Sequence, residues 1–373
     1  MRTVYKTYKY KLYSNKKNKH LDEAINIASE IWNFCIAMKR MYYRMYGKSL
    51  SATTLKKYIT KLKKRKAYAH WNKLGSQAIQ DVAERVERSY DAFFKHKKEN
   101  RKGRKSLPHF CKKEDYKSFT LKQAGYSFGE GNKITIMGRE YKYVNSRSFE
   151  GEIKTLTVKR NHHDEFFIYV VVKTECNDIY TRAGNAAGMD FGMKQFLTLD
   201  NGTSVESPLW YKAALKSLRK AHRKLSKCQL HSNNWYRAKR ELDKLYVKIS
   251  NQRRDWFFKL ANKLVEEYAI ICIEDLNLQG MQKLWGRKIN DLAFSEFVFI
   301  LEWIASNAGT TVIKVDRWAP TSQMCNVCGT INPDTKNLAL RKWTCDCCHT
   351  HHDRDINAAI NIKNAGLALL KAS

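Results

Sequence analysis

The pattern of polar and apolar positions predicts strands at both ends of the N-terminal half, with helices between them. Residues 3–13, TVYKTYKYKLY, alternate with a period of two, which predicts a strand whose polar face is nearly all lysine. From about 21 to 100, apolar residues recur every three or four positions, which predicts a helical unit. After a basic linker containing Gly103 and Pro108, the runs NKITIMG, GEIKTLTVKR and EFFIYVVVK predict further strands. We expect the first strand to join these later strands in a barrel that the helices interrupt.

The C-terminal half alternates strands with helices. A segment at about 177–188, NDIYTRAGNAAG, is interpreted as a domain junction, and the strand GMDFGMKQFLTL follows it, ending in a turn at 200–202. Two long basic helices are predicted between about 207 and 268, then the strand AIICIEDL, and a helix from about 291 to 307. The strand TTVIKVDRW and a last helix from about 355 complete the pattern. Strands separated by helices indicate an α/β unit.

Charge narrows the possible partners. The chain has 373 residues, enough for two or three compact units, and 69 Lys and Arg against 36 Asp and Glu give a formal net charge of +33. The basic residues are spread over the whole chain, which favours nucleic acid over a membrane surface as the polyanion that they attract. The longest apolar run, FFIYVVV at 166–172, is too short to span a bilayer, and the start lacks a secretory signal. We therefore expect a soluble intracellular protein that binds nucleic acid.

Half of the ten cysteines gather in one short C-terminal segment, whereas the rest are scattered, which fits a reducing compartment and a metal site. The two close pairs are Cys325 with Cys328 and Cys345 with Cys348. Sixteen residues separate the pairs, a spacing typical of a four-cysteine zinc ribbon, and Cys347 is surplus. His349, His351 or His352 could replace one cysteine, but we favour the all-thiolate set. Four protein ligands leave zinc no open position for water, so its predicted role is structural.

Three acidic residues lie where packing explains them poorly. Asp190 lies within an apolar predicted strand, between Gly188 and Gly192, which leave room for backbone or ligand to come close. Glu274 ends the strand AIICIEDL, and Asp355 begins the last helix. Singly, they could be a turn acid, a strand-end cap and a helix N-cap. Because an α/β sheet presents its strand ends together, the three jointly predict a site for two divalent cations that hydrolyses a phosphodiester.

The motifs GMDFGMKQFLTLDNG, IICIEDLNLQGM, VDRWAPTSQMCNVCG and WTCDCCHTHHDRDINAAINI follow one another between about 186 and 362. Three acidic motifs, with a four-cysteine ribbon just before the third, resemble the TnpB family of transposon-encoded RNA-guided nucleases, relatives of the type V CRISPR effectors. The first half resembles that family more loosely, through YKYKLY, IWNFCIAMKR and the succession SQAIQD, AFFKHKK and GRKSLPHF.

The resemblance implies an α/β multi-domain fold. An RNase H-like RuvC nuclease domain with an inserted zinc ribbon would follow a β-barrel (wedge) domain that a helical recognition domain interrupts. The implied ranges are 1–16 and 106–180 for the wedge barrel, 17–105 for the recognition domain, 181–320 and 353–373 for the nuclease, and 321–352 for the zinc ribbon, which would bind target nucleic acid.

The resemblance also implies that an RNA from the transposon end guides cleavage of matched double-stranded DNA next to a short adjacent motif. Asp190, Glu274 and Asp355 would be the catalytic ligands of two Mg²⁺ or Mn²⁺ ions, with Asp353 in support, and the paired cysteines would hold one Zn²⁺. Lysine- and tyrosine-rich segments suit phosphate contact and base stacking. The candidate nucleic-acid contacts are Lys6, Lys9, Lys11, Trp32, Asn33, Lys39, Arg40, Arg104 and Lys105.

The chain departs from the family pattern near the ribbon. His349 stands where glycine usually follows the last cysteine, Thr321 and Gln323 stand where Ser and Lys are usual, and Ile304 stands where a lysine is common. None of these departures touches a candidate catalytic acid.

Two other functions remain open at this point. A guide-free RuvC-like nuclease acting on branched DNA would use the same acids, but it would not need the large basic first half. A non-catalytic RNA-guided DNA-binding regulator would not need intact acids. We expect the active form to be a monomer in its complex, located in the cytoplasm and associated with the nucleoid through DNA.

Overall fold

Two compact units divide the chain in a computed structural model, Met1–Asp178 and Ile179–Ser373. The structure describes residues 2–101, 103–176, 184–337 and 339–372. Of the predicted junction at 177–188, residues 177–183 therefore lie outside the described residues.

Unit 1 contains the predicted helical segment. Its helices are α1 (Asn18–Tyr46), α2 (Ala52–Leu62), a 3₁₀ helix (Lys66–Leu74) and α3 (Ser76–Lys98). Leu21, Ile25, Ala28 and Ile31 repeat at helical spacing along α1 and are fully buried, so this face forms the core against the other helices and the sheet. The helical pattern read from the sequence is confirmed.

The strands of unit 1 form two sheets. They are β1 (Arg2–Lys11), β2 (Ser118–Leu121), β3 (Tyr126–Gly129), β4 (Lys133–Ile136), β5 (Arg139–Lys142), β6 (Glu152–Arg160) and β7 (Phe166–Cys176). One sheet has the order β1-β7-β6-β2, and the other has the order β3-β4-β5. β1 pairs antiparallel with β7, and Leu12 forms a bridge to Tyr143 after β5. The predicted joining of the first strand to the later strands is confirmed.

Unit 2 is built on a five-stranded sheet of order β10-β9-β8-β11-β12. Its strands are β8 (Ala186–Asp190), β9 (Leu197–Leu199), β10 (Ser204–Val205), β11 (Ile270–Glu274) and β12 (Thr311–Val315). β11 runs parallel to both β8 and β12. The prediction of one continuous strand at GMDFGMKQFLTL is wrong, because this segment forms two strands, β8 and β9. The chain bends over residues 193–196 between the two strands, and a methyl group at Gly192 would lie 2.8 Å from the carbonyl oxygen of Gln195.

The helices of unit 2 surround this sheet. They are α4 (Trp210–Ser226), α5 (Asn233–Glu267), α6 (Leu278–Leu292), α7 (Phe294–Ala308) and α8 (Arg354–Ala372). A short 3₁₀ helix (Pro333–Lys336) and the antiparallel strands β13 (Lys342–Thr344) and β14 (His351–Asp353) precede α8. The sequence pattern missed α6, because Gly280 and Gly286 lower its helix propensity. Its first turn is capped by Asn277, whose side chain accepts from the Gly280 N–H at 3.1 Å.

Two glycines bring α8 against the sheet. A methyl group at Gly188 of β8 would overlap the carbonyl oxygen of Ala359 and lie 2.7 Å from the backbone nitrogen of Lys363. A methyl group at Gly366 of α8 would overlap the sulfur of Cys272 in β11. The expectation that Gly188 lets backbone come close is confirmed, and this close approach sets where α8 begins.

Gly188→Ala is expected to lower the free energy of unfolding by about 3 kcal/mol, because the new methyl group meets helix backbone that cannot rotate away. Gly366→Ala should also destabilise, but adding Cys272→Ala should restore most of the loss, since the obstacle there is a side chain. Chemical unfolding followed by tryptophan fluorescence measures both effects. Wild-type stability of Gly188→Ala would contradict the packing described here.

Candidate metal centres

The predicted acids come together at one edge of the unit 2 sheet. Asp190 and Glu274 are the last residues of β8 and β11, which are parallel neighbours, so their carboxyl ends lie side by side. Side chains alternate along a strand, and Gly188 and Cys272, two residues earlier, both face α8. Asp190 and Glu274 therefore lie on the α8 side of the sheet, where Asp355 occupies the first turn of the helix.

The electrostatics of the cluster show how closely these acids interact. Burial raises the pKa of Asp190 well above its ordinary value, and the charges of Asp355 and Glu274 raise it further, against the opposing effect of Arg354 and Arg341. Burial also raises the pKa of Glu274. A buried carboxyl group whose pKa is raised by two other carboxylates fits a divalent cation site, because hard cations take oxygen ligands.

Arg341 is a functional candidate that sequence reasoning missed. One nitrogen of its guanidinium donates to both oxygens of Asp355, at 3.0 and 3.1 Å. The contact follows from the β13–β14 hairpin, in which Lys342 pairs with Asp353 and the Arg354 N–H donates to the Arg341 carbonyl oxygen at 2.8 Å. Only this strand register brings residues 341 and 355 together, so the spacing in the sequence gave no signal.

Asp353 caps α8. Its carboxylate accepts from the backbone N–H groups of Asp355 and Ile356, at 3.0 and 3.2 Å. The sequence reading had considered this capping role for Asp355, but the structure gives it to the neighbouring acid. Asp355 therefore does not cap the helix, and its carboxylate forms an ion pair with Arg341.

Matched Asn substitutions of Asp353 and Asp355 are expected to have different effects. Asp353→Asn should keep wild-type stability and Mn²⁺ affinity, because Asn caps helices as well as Asp does, whereas Asp353→Ala should cost about 1 kcal/mol of stability. Asp355→Asn should weaken Mn²⁺ binding at least about tenfold, since even partners outside the ligand set are worth that much. Titration of Mn²⁺ followed by electron paramagnetic resonance measures the affinities. Equal losses in the two Asn variants would show that Asp353 is itself a ligand.

The four predicted cysteines converge on one point. The sulfur atoms of Cys325, Cys328, Cys345 and Cys348 all lie within 4.8 Å of one another. Cys325 and Cys348 are 3.6 Å apart and Cys328 and Cys345 are 3.5 Å apart, close to the separation of about 3.8 Å that tetrahedral Zn–S bonds give. These distances are far too long for disulfides. The site is positioned to bind a metal such as zinc, and Cys347 is exposed and outside the cluster.

The two cysteine pairs lie in matching turns, which differ at one residue. The carbonyl oxygen of Cys325 accepts from the N–H of Gly329, and that of Cys345 accepts from the N–H of His349, both at 2.9 Å. Gly329 has φ +78° and His349 has φ +56°, so both occupy the left-handed region. This backbone conformation explains why a histidine is a strained replacement for glycine at position 349. His352, in contrast, lies beside the cysteine cluster. Its Nε2 is 3.1 Å from the Cys325 sulfur, and its ring contacts that of Trp343.

His349→Gly is expected to stabilise the zinc-bound turn by about 1 kcal/mol, because glycine adopts left-handed backbone without strain. Zinc release to a chromogenic chelator should then be roughly fivefold less favourable. Gly329→Ala is the matched control in the other turn, where open space leaves only the backbone strain, and it should favour release. Unchanged zinc affinity in both variants would contradict this interpretation of the turns.

In unit 1, three of the residues predicted to contact nucleic acid form hydrogen bonds to the basic linker. Trp32 donates to the carbonyl oxygen of His109 at 3.1 Å, and Arg40 donates to that of Pro108 at 3.0 Å. Asn33 accepts from the Cys111 N–H and donates to its carbonyl oxygen, at 2.8 and 2.9 Å. These contacts give this helix face a structural role that the sequence did not indicate.

Lys39 is buried, at 4% exposure, and its ammonium lies 2.6 Å from the carboxylate of Glu87. Its charge is therefore neutralised inside unit 1. On β1, Lys11 pairs with Glu165, and the ammonium of Lys9 lies 4.4 Å from the centre of the Phe167 ring. Lys6, Arg104 and Lys105 are exposed. For all nine residues, contact with nucleic acid stays a prediction.

Among the residues that the structure describes, none of the helices is both long enough and apolar enough to cross a membrane.

Two family models match the chain. OrfB_IS605, described as a probable transposase, matches residues 169–284, and the Cas12f1-like TNB domain matches residues 294–362.

Relatives extend over most of the chain. A Streptomyces pristinaespiralis protein, provisionally named as an RNA-guided DNA endonuclease, is 26% identical over 378 residues, which cover 99% of this chain and 91% of the relative. InsQ of Escherichia coli K12, provisionally named in the same way, is 28% identical over 79% of this chain and 75% of its own. The TnpB-like protein L79 of Acanthamoeba polyphaga mimivirus is 26% identical over 57% of this chain and 44% of its own.

Solved structures share the architecture. A Cas12f1–sgRNA–target DNA complex has a TM-score of 0.58 at 13% identity, over 97% of this chain and 99% of that one. The mini RNA-guided endonuclease Cas_phi3 has a TM-score of 0.52 at 10% identity, over 98% of this chain and 92% of that one. This likeness concerns the fold alone, and it confirms the α/β multi-domain prediction. The ordered acidic motifs, the cysteine cluster, both family models and these relatives agree, and they confirm the predicted resemblance to the TnpB family.

Proposed function

We propose that the protein is an RNA-guided DNA endonuclease that hydrolyses phosphodiester bonds with two divalent metal ions. The observation that carries the proposal is the meeting of Asp190, Glu274 and Asp355 at one sheet edge, where burial, and then the charges of Asp355 and Glu274, raise the pKa of Asp190. A cluster of repelling acids lowers stability unless a cation offsets it, so its presence in a chain of net charge +33 needs a function. The relatives provisionally named as RNA-guided DNA endonucleases support the same activity.

Each residue of the cluster has a definite task in this proposal. Asp190 and Glu274 are fixed by their strands, and Asp355 is oriented by the first turn of α8, which Asp353 caps. Mg²⁺ or Mn²⁺ ions bound to these carboxylates would activate water and stabilise the leaving oxygen. Arg341 holds the carboxylate of Asp355 in place and adds positive charge beside it, which attracts an anionic phosphodiester.

The first unit would bind the guide RNA and the DNA paired with it. Its two sheets would form the wedge barrel, over residues 1–16 and 106–180, and its helices the recognition domain, over residues 17–105. The guide would come from the transposon end and the target would lie next to a short adjacent motif. Because base pairing reads the sequence, the protein needs only backbone contacts and charge, which a net charge of +33 supplies. We propose the exposed residues Lys6, Arg104 and Lys105 as its first contacts.

The first test is to express the chain with its native flanking DNA and to sequence the RNA that purifies with it. We expect one discrete RNA, with a constant part from the element's end and a variable part from adjacent DNA. That complex should cut matched double-stranded DNA. Asp190→Asn should slow cutting roughly a thousandfold, since a lost metal ligand removes several kcal/mol of transition-state stabilisation, but binding should remain.

Asp353→Asn is the matched control, because it changes a neighbouring acid that caps α8 and should leave cutting intact. A mixture of cellular RNAs that salt removes, together with unguided cutting of branched DNA, would instead show a guide-free nuclease. A discrete RNA with guided binding but no cutting by the wild-type protein would show a regulator.

A further inference from the structure

A cavity of about 200 Å³ opens beside the carboxylate cluster, between the end of β11 and the helix α7. Glu274 belongs both to this cavity and to the cluster. The cavity and the place where a phosphodiester would bind therefore share one residue, at the end of β11. The proposed function assigns it no role.

The walls of the cavity are largely apolar. Leu276 and Leu278 follow β11 along the chain, and Phe294, Val298 and Phe299 come from successive turns of α7. α7 is otherwise a core helix, because Phe297, Ile300 and Leu301 are buried. Phe299, in contrast, is 68% exposed. Packing within unit 2 does not explain a large aromatic ring at this position, and a partner that stacks on it would.

The other acids at the cavity are already neutralised. Asp275 accepts from Nε of Arg317 at 3.1 Å, and Glu302 lies 2.7 Å from the ammonium of Lys314. The cavity wall thus presents hydrophobic surface and compensated charge, and Glu274, its remaining acid, also belongs to the carboxylate cluster. Such a wall accepts a flat, uncharged group rather than a phosphate, because the lysine in it, Lys314, is already paired with Glu302.

We propose that this cavity holds the nucleobase next to the phosphodiester that is cut, with the base stacked on Phe299. The inference rests on the proposed function, since it takes the phosphodiester to lie at the carboxylate cluster. The base of an adjoining nucleotide is then within reach of the cavity, and base–aromatic stacking tolerates any sequence because every base has a π-face. A cavity of this size admits one base and not a base pair, so the strand enters it unpaired.

The neighbouring Trp303 provides a matched control. It lies one turn further along α7, it is 56% exposed, and it is not part of the cavity wall. Its ring instead contacts that of Phe258, at 6.1 Å between ring centres. Removing either exposed ring leaves the buried core of α7 intact, so both variants are expected to fold.

The binding test uses the full-length protein with Asp190→Asn and single-stranded DNA containing 2-aminopurine, a fluorescent base that is quenched by stacking. Binding should quench the fluorescence, and Phe299→Ala should abolish the quenching. Phe299→Tyr should keep it because the ring is retained, and Trp303→Ala should leave it unchanged. Quenching that is the same in Phe299→Ala as in the parent protein would overturn the proposal.

The kinetic test uses the guide-RNA complex of the otherwise wild-type chain. Phe299→Ala should lower kcat/KM by about five- to a hundredfold, the range expected for one lost stacking contact, while Trp303→Ala and Phe299→Tyr should stay near wild type. Guided cutting that does not depend on Phe299 would overturn the nucleobase site and leave the proposed function standing. Phe299-dependent quenching without guided cutting would support the nucleobase site and overturn the proposed function.

Discussion

The close packing of α8 on the sheet of unit 2 is the constraint on which the candidate active site depends. Gly188 and Gly366 remove the side chains that would hold the helix away from β8 and β11. A second contact fixes the same layer, since Asp200 accepts from the Gly188 N–H at 3.0 Å and from the ammonium of Lys363 at 2.8 Å. Because Asp355 lies at the start of α8, any displacement of the helix would separate it from the strand acids.

The cysteine cluster is connected to the same place through the backbone. Cys345 and Cys348 lie in the turn between β13 and β14, and this hairpin leads directly into α8. At its open end Arg341 meets Asp355, and Asp353 caps the helix. A zinc ion that fixes the turn would therefore also fix the register of the two strands. Four thiolate ligands would leave such an ion no open position for catalysis, but the register that it would stabilise orients a catalytic candidate.

The sequence predicted the features that depend on local spacing and on strand ends. Cys-x-x-Cys pairs require only one turn each, and Asp190 and Glu274 could be paired because parallel strands end at one edge. Long-range register was out of reach, so the contact of Arg341 with Asp355 was missed. The sequence reading also considered the capping role for Asp355, whereas Asp353 caps the helix. Two aspartates in His-Asp-Arg-Asp fit the N-cap pattern equally well, and only the hydrogen bonds distinguish them.

The candidate active site has to combine the negative charge of its carboxylates with the positive charge that attracts a phosphodiester. Carboxylates repel a phosphodiester, and the basic surface that attracts one would neutralise the carboxylates if it reached them freely. Burial restricts that access at Asp190, and Arg341 is held by the hairpin to Asp355 alone among the ion pairs described. The cluster therefore stays electrostatically unsatisfied within the protein. In the proposed function, divalent cations would relieve this repulsion and at the same time bind phosphate oxygens, so that the acids and the basic surface could act on one substrate.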